Sequence, residues 1–247
     1  MEAHIRKKVL LLGDSITQQS FSPVYKGFGA GISDWYHRTA DVVVRGFSGY
    51  NSRWIRIMLP RLLPTGQDSQ AYEGYIACMV FLGANDSVFP EHGQHVPVPE
   101  YKANLEVIVE HIHVLNRNIV IILVTPPVVC SKLWPSRSIE NTNQYAAIVR
   151  QICEEKEYLE LLDLHQCCDG IQPIILDDLR DGLHFDEGGN NKILKHFQHI
   201  IRSRHLNICP DDDPFARKPN LELQYPHFSA IIDNPEYESV LEKWKYS

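Results

Sequence analysis

The sequence has no long apolar run. None approaches the roughly 20 residues needed to cross a bilayer, so no membrane span is expected. It also has no basic stripe. The formal net charge is −7 and the isoelectric point is near 5.9, which argues against a nucleic-acid partner, because binders of polyanions carry clustered positive charge. The six cysteines (Cys78, Cys130, Cys153, Cys167, Cys168, Cys209) are scattered and form no Cys-x-x-Cys pair. That pattern reads as reduced cytosolic thiols, not as a disulfide framework. A zinc site built from His165, Cys167 and Cys168 lacks a second ligand pair at metal spacing, so no metal is expected. The opening residues Met1 to Lys8 lead straight into an apolar strand without the core of a signal peptide, and a cytoplasmic location is expected. There are no internal repeats and no low-complexity linker.

What the chain does have is short apolar runs that alternate with amphipathic stretches. Val9-Leu10-Leu11-Leu12 stops abruptly at Gly13-Asp14-Ser15. Runs of this kind are strands buried on both faces of a parallel sheet. Residues 41–45, 75–82, 118–125 and 158–164 read the same way. Between them, helices are expected over 27–40, 52–63 (kinked or ended near Pro60), from Pro99 to Leu115, 139–156 and 185–204. Strands alternating with helices imply right-handed crossovers and a parallel sheet covered on both faces. Residues 88–99, with three prolines and two histidines, read as an irregular loop. The tail from Asn207 changes character. Its prolines suggest an extended arm, and Phe215, Tyr225, Phe228, Tyr237 and Trp244 argue that it packs on its own domain or on a second subunit, giving a possible homodimer.

The chemistry-bearing residues lie where strands end. Gly13-Asp14-Ser15, Gly46 to Asn51, and Gly83-Ala84-Asn85-Asp86 each close a strand. Parallel strands deliver their carboxyl ends to one edge, where ligands bind. A fourth stretch, Asp181-Gly182-Leu183-His184, precedes the last helix. A carboxylate three residues ahead of a histidine can accept the ring Nδ1–H and leave Nε2 free to take a proton from Ser15. The order Ser…Asp…His is one of several in which hydrolytic triads occur. Asp177, Asp178 and Asp186 are alternatives to Asp181, although a solvated surface is the default for each.

Blander readings stand beside these. Asp14 and Asp86 read as acids that brace their own turns. His92 and His95 could line a pocket, but loop histidines are mostly solvated. His111 and His113, two apart on a helix, do not face one another. Ser48 sits in a sequence like a nucleophile elbow, yet Tyr50 occupies the final glycine position of that motif, so Ser48 reads as loop structure. The Phe28/Trp35 and Trp54/Met58 pairs at helical spacing read as core.

Together the four blocks, in this order from Leu10 to about Asn191, resemble the SGNH (GDSL) hydrolases. Within that family the likeness is closest to isoamyl acetate-hydrolysing esterases, carried by Gly13 to Gln18, Arg45 to Trp54, Gly83 to Ser87 and Asp181 to His184. The resemblance implies a flavodoxin-like, three-layer α/β/α domain, here over 1–206 with a five-stranded parallel sheet; the extension over 207–247 matches much less clearly, and nothing is carried over to it. The likeness implies a serine esterase acting on small-molecule esters such as short-chain acetates, and the whole reading is of a hydrolase without metal or organic cofactor. Ser15 would be the nucleophile, His184 the general base and Asp181 its orienter. The oxyanion hole would combine Ser15, Gly49 and the Asn85 side chain. Gly46 is the alternative to Gly49, which is preferred because Ser-Gly followed by polar residues fits the block better. A lysophospholipase, thioesterase or carbohydrate O-acetyl esterase on the same scaffold, or a binding protein without turnover, are the rival readings, since fold does not fix substrate.

Overall fold

A computed structural model describes residues 7–64 and 74–210. Five strands, β1 (Lys8–Gly13), β2 (Asp41–Gly46), β3 (Tyr75–Phe81), β4 (Val120–Val124) and β5 (Leu159–Leu162), pair in the order β2-β1-β3-β4-β5. Every pairing is parallel. This is the flavodoxin-like order, in which the chain reverses direction across the sheet next to β1 and leaves a crevice at the carboxyl edge.

Alternate residues of each strand serve opposite faces. Val9, Leu11, Met79 and Ile122 pack with Phe28, Ile32, Tyr36 and Phe197, which come from helices α2 (Phe28–Trp35) and α6 (Glu187–Arg204). Leu10, Leu12, Val80 and Leu123 pack with Ile55, Leu59, Tyr101, Leu105 and Tyr145 on the other face. Those partners belong to α3 (Ser52–Leu62), α4 (Val98–Leu115) and α5 (Ile139–Glu155). Two apolar layers around one sheet make the three-layer α/β/α domain the chain pattern implies.

The strand ends lie on one line. Gly13 pairs with Gly46 and with Phe81, Phe81 with Val124, and Val124 with Leu162. The connections that follow therefore start side by side.

Some elements depart from expectation. A four-residue helix, α1 (Ser15–Gln18), begins immediately after β1 where only a loop was expected. It is too short to show periodicity. α3 continues through Pro60 to Leu62. Pro60 lies on an exposed part of the helix, where water can serve the carbonyl that proline leaves without a donor. α2 ends at Trp35, short of Ala40. Trp54 is not in the core; it stands edge-on to Tyr50 with ring centroids 5.6 Å apart. Phe28 is core, with Trp35 packed partly buried against it.

The packed chain runs past residue 206. Ile208 and Cys209 are buried in the same cluster as α2 and α6, and the Tyr36 hydroxyl donates to the Ile208 carbonyl at 2.9 Å. The tail aromatics from Phe215 onward lie outside the described residues.

α1 can start so abruptly because two glycines clear its path. A Cβ on Gly46 would stand 2.1 Å from Gln18 N and 2.4 Å from Gln18 Cα. On Gly13 it would meet Thr17 Oγ1 at 2.2 Å and the Phe81 carbonyl at 2.4 Å. Gly46→Ala must therefore push α1 off the sheet. Forced overpacking of this kind costs about 1–3 kcal/mol, readable as a lower urea midpoint. An unchanged midpoint would show that the contact yields freely.

Candidate active site

The three small-polar strand ends meet. Asp14 caps α1, its Oδ1 accepting from Ile16 N at 2.9 Å. Phe47 N donates to the Gly13 carbonyl at 2.9 Å. Ser48 N donates to Gln18 Oε1 at 2.7 Å, so α1 holds the second loop. Asn85 Nδ2 donates to the Tyr50 carbonyl at 2.9 Å, which ties the third loop to the second. Gln94 Nε2 donates to the Gly49 carbonyl at 2.6 Å, and Asn51 Nδ2 to the Gln94 carbonyl at 2.8 Å. Asn51 also caps α3, and Asp86 Oδ1 accepts from Ser52 N at 2.9 Å.

The fourth block arrives from the connection between β5 and α6. An antiparallel bridge between Leu179 and Phe185 pinches it into a tight loop, closed by Arg180 N donating to the His184 carbonyl at 2.9 Å. Gly182 sits at the tip with φ +82, a left-handed conformation that favours glycine. This loop carries His184 to Ser15, with Ser15 Oγ 2.9 Å from His184 Nε2. The ring Nδ1 is 2.8 Å from Asp181 Oδ2. Asp181 Oδ1 accepts from Leu183 N at 3.0 Å and His184 N at 2.8 Å. Partial burial pushes the Asp181 carboxyl upward in pKa, but the hydrogen bonds from the His184 backbone and ring and the Leu183 backbone win, holding it below the usual aspartate range. It is thus an anion at neutral pH, suited to holding the Nδ1–H tautomer and stabilising an imidazolium.

The alternatives to Asp181 are engaged elsewhere. Asp178 accepts from Ile175 N and from Lys192 Nζ at 2.6 Å, and Asp186 caps α6 through Gly189 N at 2.9 Å. Asp177 is exposed. Gly46 belongs to the ladder opposite Gly13, whereas Gly49 lies in the loop with φ +79. His92 is exposed, and His95 Nδ1 is spent on the Val88 carbonyl at 2.7 Å. His165 Nε2 contacts the Pro126 carbonyl at 2.7 Å. His111 meets the Leu63 carbonyl, while His113 stacks on Tyr158.

Several residues of the site gave no signal in the sequence. Trp134 Nε1 donates to the Asp181 carbonyl at 2.9 Å, and its ring stands edge-on to His184 with centroids 6.2 Å apart. Arg180 lies over the Tyr25 ring at 4.1 Å and bonds Gln19 Oε1. Arg180, Tyr25 and Gln19 line a small void beside His184 with Ile16 and Phe185. Arg137, buried at 4% exposure, donates to the Ala84 carbonyl and, at 3.0 Å, to Asn85 Oδ1. Each is a lone residue in an irregular segment, and only three-dimensional proximity marks it.

Asp14 and Asp86 are both fully enclosed beside this arginine. Burial pushes the Asp14 carboxyl up to about 7, with the Asp86 charge adding to the rise and the Ile16 hydrogen bond and Arg137 opposing it. Burial likewise pushes Asp86 to about 6 against hydrogen bonds from Ser52. A carboxyl whose pKa is higher folded than unfolded holds its proton in the native state, so folding stability falls as pH rises. For Asp14 the loss runs from its ordinary 3.8 to about 7. Asp14→Asn stays neutral throughout and keeps the acceptor for Ile16 N. Its Tm should therefore gain on that of the unaltered chain between pH 5 and pH 8. Parallel Tm curves would show that Asp14 is not held protonated.

Comparisons with known proteins bear on the family and the fold. A model of the GDSL-like lipase/acylhydrolase family matches residues 11–192. A GDSL esterase/lipase of Arabidopsis thaliana is 32% identical over 244 residues, covering 92% of this chain and 94% of that one. An isoamyl acetate-hydrolyzing esterase 1 homolog of Bos taurus is 35% identical over 236 residues, covering 87% and 91%. Among solved structures, a lipase/acylhydrolase from Enterococcus faecalis superposes with a TM-score of 0.59 at 23% identity, over 80% of this chain and 96% of that one. An acetylxylan esterase from Geobacillus stearothermophilus does so with a TM-score of 0.55 at 22% identity, over 82% and 95%.

Proposed function

The chain belongs to the GDSL-like lipase/acylhydrolase family and is a carboxylic ester hydrolase, and we propose that it cleaves small esters of short acyl groups through Ser15, His184 and Asp181. The observation that carries this reading is the continuous relay from Ser15 Oγ to His184 Nε2 and from His184 Nδ1 to Asp181, at 2.9 and 2.8 Å. Both contacts are within the range in which a proton is shared along a hydrogen bond.

In this mechanism Ser15 Oγ attacks the ester carbonyl carbon while its proton passes to His184 Nε2. The carbonyl π electrons move onto oxygen, and the oxyanion is met by the backbone N–H groups of Ser15 and Gly49 and one N–H of Asn85. Asp181 stabilises the imidazolium. On collapse the bond to the alcohol oxygen breaks, and His184 returns the proton to that oxygen. Water then repeats the sequence on the acyl-serine and releases the acid. No proton or electron is left over, so no further reactant is required.

Short acyl groups and small alcohols are supported by relatives named for hydrolysis of isoamyl acetate. A cytoplasmic setting is supported by free thiols at Cys78, Cys130, Cys153, Cys167 and Cys168. No helix among the described residues is long and apolar enough to cross a membrane.

Ser15→Ala and His184→Ala should each abolish hydrolysis of nitrophenyl acetate while the folded far-UV spectrum persists. Asp181→Asn should cost up to about 10⁴-fold in kcat. A fluorophosphonate should label Ser15 in the intact protein. Normal turnover by either alanine variant on a panel of acyl lengths, an acetylated sugar and an acyl thioester would overturn the assignment. Preference within the panel for long acyl chains, sugar acetates or thioesters would replace the substrate class.

A further inference from the structure

We propose that Arg137 is a positioning residue for the oxyanion hole: it fixes the Asn85 carboxamide with one N–H facing the reacting carbonyl and sets its positive charge behind that donor. This rests on the reading above in which Asn85 donates to the oxyanion.

The carboxamide is pinned at both ends. Asn85 Oδ1 accepts from Arg137 Nη2 at 3.0 Å, and Asn85 Nδ2 donates to the Tyr50 carbonyl at 2.9 Å. Nδ2 carries two hydrogens, so one is left for a substrate oxygen. Turning the amide over would set its NH₂ against a guanidinium and its oxygen against a carbonyl. Both contacts would become repulsive, so a single orientation is held. Arg137 is itself clamped. Its other amino group serves the Ala84 carbonyl, one residue before Asn85, and its backbone N–H bonds the Trp134 carbonyl at 3.0 Å. The guanidinium stands 5.5 Å from the Trp134 ring centre. Lysine offers one point charge and lacks the planar fork that reaches two acceptors at once.

Charge placement adds to orientation. Arg137 sits in a buried setting where a cation acts more strongly than in water. It polarises the amide through its oxygen and strengthens the remaining N–H as a donor. The charged groups around it are Asp14, adjacent to Ser15, and Asp86, adjacent to Asn85. Arg137 Nε has no hydrogen-bond partner among the described residues. Structural saturation of the cation is thus incomplete, while its two bonds go to Ala84 and Asn85.

The test uses the full chain and nitrophenyl acetate, with Arg137→Met, Arg137→Lys, Asn85→Ala and the double variant Arg137→Met/Asn85→Ala. Loss of one oxyanion donor costs about 10²–10³-fold in kcat, and Asn85→Ala should fall in that range. Arg137→Met should lower kcat by about 10-fold to 10²-fold at nearly constant KM, because the interaction is expressed in the transition state. Arg137→Lys should recover part of that loss. In the Asn85→Ala background the Arg137→Met effect should shrink to about threefold or less. If Arg137→Met does not fold, the same cycle is run with Arg137→Lys, whose loss should likewise vanish in the Asn85→Ala background. Multiplying losses in the double variant, or normal kcat in a folded Arg137 variant, would overturn the proposal. Normal kcat in Asn85→Ala would instead overturn the oxyanion reading beneath it.

Discussion

The close approach of α1 to the ends of β1 and β2 is the constraint on which the site depends. With no side chain on Gly13 or Gly46, the helix backbone lies directly on the sheet. Ser15 is thereby the second residue beyond the last strand position and not part of a free loop. The sheet edge is rigid because its strands are buried on both faces by two apolar layers, and close-packed interiors transmit position faithfully. The serine inherits that rigidity. A nucleophile on a longer connection would need extra contacts to be held within hydrogen-bond reach of a histidine 169 residues away in the chain.

Around this anchor the polar contacts run from loop to loop more than within loops. Gln18 holds residue 48, Asn85 holds residue 50, Gln94 holds residue 49, and Asp86 holds residue 52. Each bond satisfies a backbone group that would be costly to leave unpaired in a partly buried edge. The same bonds fix the separation between the proposed oxyanion donors. The cost of the arrangement appears beneath it, where Asp14, Asp86 and Arg137 are enclosed together. Two carboxyls share one cation, and the pKa values of both carboxyls rise. Apolar residues of similar volume would be expected to stabilise such a place. Local conflict of this kind is characteristic of functional sites.

The architecture was legible in the sequence because it depends on long-range repetition of simple signals. Five apolar runs ending in glycine, proline or aspartate, separated by amphipathic stretches, specify the layers and the parallel sheet. Ser15, Asp181 and His184 were legible because glycine and acid mark tight turns at strand and helix ends. The choice of Asp181 over Asp177, Asp178 and Asp186 rested on its three-residue spacing from His184, since all four are acids on one stretch. Hydrogen bonds with Ile175, Lys192 and Gly189 occupy Asp178 and Asp186, while Asp181 meets the His184 ring. α1 escaped notice because four residues complete barely one turn. Trp54 was misread as core because its helix spacing suits burial, while the ring in fact lies on Tyr50 at the site's edge. Arg137 could not be read at all, because nothing local distinguishes a buried arginine from a solvated one.

The segment between β4 and α5 joins the two halves of the site. The loop before α6 carries the proposed acid–base pair, and the loops after β1, β2 and β3 the proposed oxyanion donors. These halves come from different parts of the sheet and share few bonds of their own. The intervening segment touches both. Cys130 N donates to the Gly182 carbonyl at 2.8 Å, and Trp134 Nε1 to the Asp181 carbonyl at 2.9 Å. Three residues later Arg137 holds Asn85. Ser138 then caps α5 through Asn141 N at 3.1 Å, which seats the segment on the helical layer. This one segment therefore bonds both the loop of the proposed general base and the side chain of the proposed oxyanion donor. Both groups act in one transition state, so their spacing matters more than the position of either alone. Displacing this segment should reduce both contributions together, as no change confined to one strand end would.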